Sequence, residues 1–188
     1  MKKLDLFSCP LWIGECELDR PKLGAAIMQF RESQMNNLAS NIGGYQGIDF
    51  DRFYPDFSNH AIKSMPTKIL SDQLTVKSWI NFNYKGNFNI KHQHFNPDIV
   101  LSGVYYFKVP EKGGKIIFHD PRTPLIRIGK DFQMFGDQNE YNGNYMIEPK
   151  DNMIIFFPSW FEHSVQSSRS DEPRISIAFN IFINQPNT

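Results

Sequence analysis

The sequence predicts a mainly β domain, a sandwich or jelly-roll barrel with one or two N-terminal helices packed on its sheet. Three observations predict it. From residue 75 to residue 185, apolar and β-branched clusters of strand length alternate with Gly, Pro, Asn and Asp turn residues. No stretch of that region has the length and period of the helical crossovers that parallel strands require. Seventeen Phe, seven Tyr and three Trp make the chain 14% aromatic, which suits a core where flat side chains pack between sheets and excludes a disordered chain. At 188 residues the chain has the size of one domain, read as an N-terminal helical and loop extension over 1–74 and a β core over 75–185.

The elements follow in order. Residues 5–19 hold short apolar runs broken by Pro10 and Gly14, which predicts an opening strand and a turn. After Asp19, the residues Leu23, Ala26, Ile27 and Phe30 recur at spacings of three and four, so a helix runs from Pro21 through about residue 34 or 38. The Gly-, Asn-, Asp- and Pro-rich stretch 41–59 reads as a loop, followed by a second short helix within 60–74. Strands are expected at 75–83, 99–108, 115–120, 125–128, 145–147, 153–157, 163–166 and 174–184.

Twenty basic and twenty acidic residues cancel, so no global field draws the chain to nucleic acid or an anionic membrane. The aromatic run Phe156, Phe157, Trp160 and Phe161 lacks interleaved Lys or Arg and reads as core and rim, not as a base-stacking platform. Asp5, Ser8 and Pro10 interrupt the opening segment before it reaches the length of a signal peptide or a membrane span. Cys9 and Cys16 form no CxxC or larger thiolate cluster. The expectation is a cytoplasmic protein with reduced thiols, a Cys9 to Cys16 disulfide being the lesser alternative.

Chemistry concentrates at His92-Gln93-His94, just before the apolar run IVLSGVYYFKV. Two residues apart on an extended segment, both imidazoles project to one side and can converge on one ion. Alone, such a pair is more often a surface feature. His163, closing MIIFFPSWFEH, is the third histidine, and a barrel that brings distant strands together sets it beside the pair. Three protein ligands on one face of octahedral Fe(II) leave positions open for a bidentate cosubstrate and dioxygen. Asp98 and Asp120 are the alternative sources of a carboxylate ligand in place of His94, although Asp98 follows Pro97 in a turn and Asp120 lies a strand away. Arg174 and Ser176 share a strand face and together can clamp a carboxylate; the competing reading is a surface arginine closing the acidic turn Asp171-Glu172. His119, in FHDPR, faces either the pocket mouth or nothing in particular, Asp120 and Arg122 can pair with each other, and His60 falls in a loop.

In combination the HxH pair, GGKIIF, FPSWFEHSV and RISIAFN resemble the 2-oxoglutarate and Fe(II)-dependent oxygenases, LSGVYYFKVP, FHDPR and FPSWFEHSV are similar to one group of oxygenases among them, and Tyr106 adds a likeness to the prolyl hydroxylases. The resemblance covers residues 75–185. It implies a double-stranded β-helix, the cofactor Fe(II) and the cosubstrate 2-oxoglutarate. It places His92 and His163 at the two histidine positions of the metal triad, Arg174 on the far carboxylate of 2-oxoglutarate, and Ser176 beside it. Tyr106, rather than Tyr105, takes the position of a tyrosine that donates to the same carboxylate, a choice made by strand parity. Asn81 and Asn83 share a strand face before the ligand pair and are expected to line the pocket. One departure stands out: His94 occupies the position where most of the family has Asp or Glu, which leaves the site one unit more positive.

The expected activity is therefore a dioxygenase that converts 2-oxoglutarate and O2 to succinate and CO2 while oxidising a peptidyl or small-molecule substrate, most simply by hydroxylation. Two alternatives are a three-histidine, cupin-type dioxygenase without 2-oxoglutarate and a catalytically silent β-barrel binding protein.

Overall fold

The computed structural model describes residues 8–33, 39–67, 73–122 and 143–184. In chain order the elements are β1 (Trp12–Glu15), α1 (Arg20–Ser33), β2 (Asn41–Ile42), β3 (Tyr45–Ile48), a 3-10 turn (Phe50–Arg52), α2 (Asp56–Lys63), β4 (Leu74–Asn83), β5 (Phe88–His92), β6 (Ile99–Lys108), β7 (Ile116–His119), β8 (Asn144–Ile147), β9 (Met153–Phe157), β10 (His163–Val165) and β11 (Arg174–Ile183). The strands form two antiparallel sheets, one in the order β1-β9-β6-β11-β4-β3 and one in the order β2-β5-β10-β7-β8. This is a jelly roll, mainly β, with two helices added on its N-terminal side.

The long central strands are buried on both faces over most of their length because each face has its own cover. On β11, Ile175, Ile177, Phe179 and Ile181 are buried in one core with Leu23, Ile27 and Phe30 of α1 and Phe57 and Ala61 of α2. The alternate residues Arg174, Ser176, Ala178 and Asn180 stand on the other face. There they oppose Asn83, Asn81, Trp79 and Lys77 of β4, and Ser176, Ala178 and Asn180 oppose Tyr106, Val104 and Ser102 of β6. That face looks toward the five-stranded sheet, and a second, smaller core fills the space with Val104, Phe118, Ile155, Phe157 and Phe161. A polar row inside an otherwise apolar sandwich marks where a site can form.

Local chemistry explains the helices. Asp19 caps α1, its Oδ1 accepting the Lys22 N–H at 3.0 Å, and Pro21 sits in the first turn, where no intrahelical N–H bond is lost. Gly103, at the centre of β6, is there for lack of room: a Cβ would collide with the Phe179 ring and lie 2.7 Å from the Ile155 carbonyl oxygen. Gly103→Ala should therefore cost about 1–3 kcal/mol, read as a lowered denaturation midpoint with an unchanged m-value.

The region 41–59 differs from the loop expected there. It holds β2, β3, the 3-10 turn and the start of α2, because its polar residues bond to one another and to the sheet: Asn41 Nδ2 donates to the Tyr45 carbonyl at 3.3 Å and Asn83 Nδ2 donates to Asn41 Oδ1 at 3.1 Å. The second helix begins earlier than residue 60, after Pro55, whose φ of −59° presets a helical start. His60 thus lies on α2. The strand β5 was not expected: Phe88 and Ile90 alternate with Asn89 and Lys91 there, but Asn89 is the buried residue and Ile90 is exposed. The strand expected at 125–128 and the predicted helical residues 34–38 and 68–72 lie outside the described residues. Cys9 and Cys16 are both free, and no described helix is long and apolar enough to cross a membrane.

Candidate metal centre

His92 is the last residue of β5 and His163 the first of β10, and the two are register partners in the smaller sheet. The chain then leaves β5, and the His94 N–H is fixed by the Ser159 carbonyl at 2.8 Å. The three rings meet: centroids lie 4.3 Å apart for His92 and His163, 5.0 Å for His94 and His163, and 5.1 Å for His92 and His94. One ring nitrogen from each lies within 4.8 Å of the others.

Hydrogen bonds decide which nitrogen is free. Nδ1 of His92 donates to the Ile90 carbonyl at 2.8 Å, and Nδ1 of His163 donates to the Phe161 carbonyl at 2.9 Å. His94 Nδ1 meets Asn180 Oδ1 at 3.0 Å and Ser102 Oγ at 3.2 Å. A carbonyl only accepts, so the proton sits on Nδ1 and the lone pair on Nε2, the arrangement in which imidazole ligates a metal. Burial lowers the pKa of all three. His163 is held well below the ordinary histidine value by burial and then by its two neighbours; His94 is brought down to about 4 by burial and then by His92; His92 falls by burial, partly offset by the Ile90 carbonyl. At neutral pH the cluster is uncharged and ready to ligate.

A pH dependence of the metal-free protein follows. Unfolded histidines protonate near 6.5, whereas folded His94 does so only at about 4, so the unfolded state binds the extra protons within that window. Stability should be full above about pH 6.5 and fall as the pH drops toward 4. Melting temperatures in chelator across this range check it. His94→Leu should flatten the dependence, and a melting temperature that does not move in the wild type would contradict the burial of the rings.

The same cavity takes in Arg174, Ser176, Tyr106 and Asn81. Arg174 is 1% exposed, and its Nη1 donates to the carbonyls of Gly113 at 2.9 Å and Gly114 at 3.2 Å. Gly114 has φ +91°, a backbone conformation that a side chain would strain. The Arg174 Nε is buried without a partner, and no carboxylate pairs with the guanidinium among the described residues. Tyr106 turns toward it, with a pKa pushed up to about 12 by burial against the opposing pull of Arg174, so its hydroxyl stays protonated. Tyr105 points to the other face and donates to Asn152 Oδ1 at 2.9 Å. Asn81 Oδ1 is buried and unpartnered.

Other residues singled out in the sequence do not join this group. Asn83 is fully buried and bonded to Asn41, outside the cavity lining. His119 projects from the opposite face of β7, where Asn144 Oδ1 and Ser164 Oγ lie 2.7 and 2.9 Å from its two ring nitrogens. Asp120 is engaged by Arg122 at 2.7 Å, and neither it nor Asp98 joins the three histidines. The structure adds a second, open cavity of about 480 Å³ that is also lined by His92 and His94, with Ser40, Gln46, Ile48, Trp79 and Gln93 in its wall. The sequence reading also missed Asn180 and Ser102, although the two-residue period from Arg174 and Ser176 leads directly to Asn180.

Residues 77–180 match the model of a family described as "Putative 2OG-Fe(II) oxygenase". Among solved structures, the chain is similar to a Pseudomonas putida prolyl-4-hydroxylase (15% identity, 95% of each chain covered, TM-score 0.56). It is similar to an oxidoreductase of the 2OG-Fe(II) oxygenase family from Burkholderia pseudomallei (14% identity, 87% of this chain and 80% of that one, TM-score 0.59). It is also similar to HygX from Streptomyces hygroscopicus with nickel, 2-oxoglutarate and hygromycin B bound (7% identity, 93% and 83%, TM-score 0.65). No protein with a curated description matches it in sequence. At these identities the solved structures speak to the fold alone.

Proposed function

Because the chain belongs to the family of 2OG-Fe(II) oxygenases, and so is an enzyme using Fe(II), 2-oxoglutarate and O2, we propose that His92, His94 and His163 bind its metal and Arg174 its cosubstrate. The observation that carries this reading is a fully buried guanidinium without a carboxylate partner among the described residues, in one cavity with three imidazoles that each bring a ring nitrogen within 4.8 Å of the others. A buried charge calls for a counter-ion, and a dicarboxylate able to reach from the histidines to Arg174 supplies it. Three neutral nitrogen donors suit a divalent transition metal and leave coordination positions open.

When bound, iron and 2-oxoglutarate supply the oxidising power. The chain's own residues position and shield. Arg174 offers a planar fork to the far carboxylate; the protonated Tyr106 hydroxyl and Ser176 add donors beside it. Phe157, Val104 and Ile116 line the inner pocket and keep it dry. The outer cleft admits the substrate next to the metal, and its described lining of Gln46, Gln93, Ile48 and Trp79 carries no charge, which suits hydroxylation of an uncharged peptidyl or small-molecule group. Two free cysteines fit a reducing, cytoplasmic compartment. An anaerobic crystal structure with Mn(II) and 2-oxoglutarate tests the assignment. Density for the ion on the three rings and for a carboxylate on Arg174 is expected; an ion bound elsewhere, or a cosubstrate turned away from Arg174, overturns it.

A further inference from the structure

Behind His94 stands a pair of polar side chains with no part in the proposal above. Asn180 of β11 and Ser102 of β6 are register partners on adjacent central strands, and Ser102 is completely buried. The Ser102 hydroxyl donates to Asn180 Oδ1 at 2.7 Å. That uses the only proton the hydroxyl has, and an amide oxygen has none to give. The proton in both contacts to His94 Nδ1, at 3.0 Å from Asn180 and 3.2 Å from Ser102, must then be the imidazole's own.

The three histidines are thus held by different means. His92 and His163 are each anchored by a backbone carbonyl two residues back, a device no side-chain substitution removes. His94 depends on side chains eight and eighty-six residues away in sequence. We propose that Asn180, supported by Ser102, is the positioning residue that makes His94 a metal ligand, fixing its tautomer and turning Nε2 toward the other two rings. This rests on the reading of His94 as a ligand. The need is specific to histidine: a carboxylate at this position could ligate through either of two equivalent oxygens, whereas an imidazole ligates only if the correct nitrogen is bare and correctly aimed.

The test is titration of the full-length, metal-free protein with Co(II), reading affinity and the visible d–d spectrum of the bound ion. Asn180→Leu is expected to weaken Co(II) binding about 10–100-fold and to alter the spectrum, with a lowered metal-free melting temperature as well, because the buried Ser102 hydroxyl and the His94 N–H lose their acceptor. Asn180→Asp, which keeps the acceptor, is expected to bind at least as tightly as wild type. Ser102→Ala is the second variant should Asn180→Leu not fold, with a smaller loss in the same direction. Wild-type affinity and spectrum in Asn180→Leu, or in Ser102→Ala if that is the variant that folds, would overturn the positioning role while His94→Ala still weakened binding. Unchanged binding in His94→Ala itself would overturn the ligand reading, and the proposal with it.

Discussion

Replacing Arg174 by alanine should lower affinity for 2-oxoglutarate about 30-fold to several thousand-fold and abolish succinate formation, because a buried carboxylate that loses its charged partner typically costs 2–5 kcal/mol. The guanidinium has the properties of a counter-ion site: it is 1% exposed, is held among the described residues by the carbonyls of Gly113 and Gly114, and has an unpartnered Nε. In the ligand-free protein this charge is an unneutralised burden, so an apolar replacement of similar length, Arg174→Met, should leave stability unchanged or raise it. Loss of cosubstrate binding together with equal or greater stability separates a binding residue from a structural one. Arg174→Lys should fall between, retaining charge but not the planar fork. Calorimetric titration with 2-oxoglutarate measures the first effect and chemical denaturation the second. Unchanged affinity in Arg174→Ala would remove the clamp.

His163→Ala should reduce Fe(II) or Mn(II) affinity on the order of 100-fold or more, an effect larger than that of any residue behind the three proposed ligands. His163 is the most buried of the three rings and packs against Phe157 and Phe118, with centroids 4.7 and 6.0 Å away. Truncation therefore also opens a cavity and lowers stability somewhat, so the informative comparison is the metal-induced change within each variant. Mn(II) at one hundred times its dissociation constant should stabilise the wild type by about 2.7 kcal/mol; the same concentration should barely stabilise His163→Ala. His92→Ala should behave alike, since His92 sits directly opposite His163 in the register of β5 and β10. Equal stabilisation of wild type and variants by Mn(II) would show that the ion binds elsewhere.

Much of the fold is legible in the chain itself. Strands such as Ile99–Lys108 and Arg174–Ile183 are long, apolar and bounded by turn residues, and Leu23, Ile27 and Phe30 announce one face of a helix. What escaped was short or inverted: β2 is two residues long, and in β5 Phe88 and Ile90 alternate with Asn89 and Lys91 but the buried member is Asn89, so its strand state comes from pairing with neighbours rather than from an apolar face turned inward. His119 shows the same limit. Its motif resembled a pocket residue, but one step of parity along β7 separates Phe118, which packs against His163, from His119, which points away.

By itself the sequence determined which side chains share a strand face, because the β period of two is a property of the backbone: Arg174, Ser176 and Asn180 on one side, Ile175, Ile177 and Phe179 on the other. It also set three histidines and one arginine in the order His92, His94, His163 and Arg174. Only the tertiary structure decided that β5 and β10 lie side by side so that His92 meets His163, that the His94 ring is braced by Asn180 and Ser102, and that Arg174 is buried without a carboxylate partner among the described residues. Those outcomes depend on register between strands far apart in the chain. Register is set by burial and packing across the whole sandwich, which no local run of residues encodes.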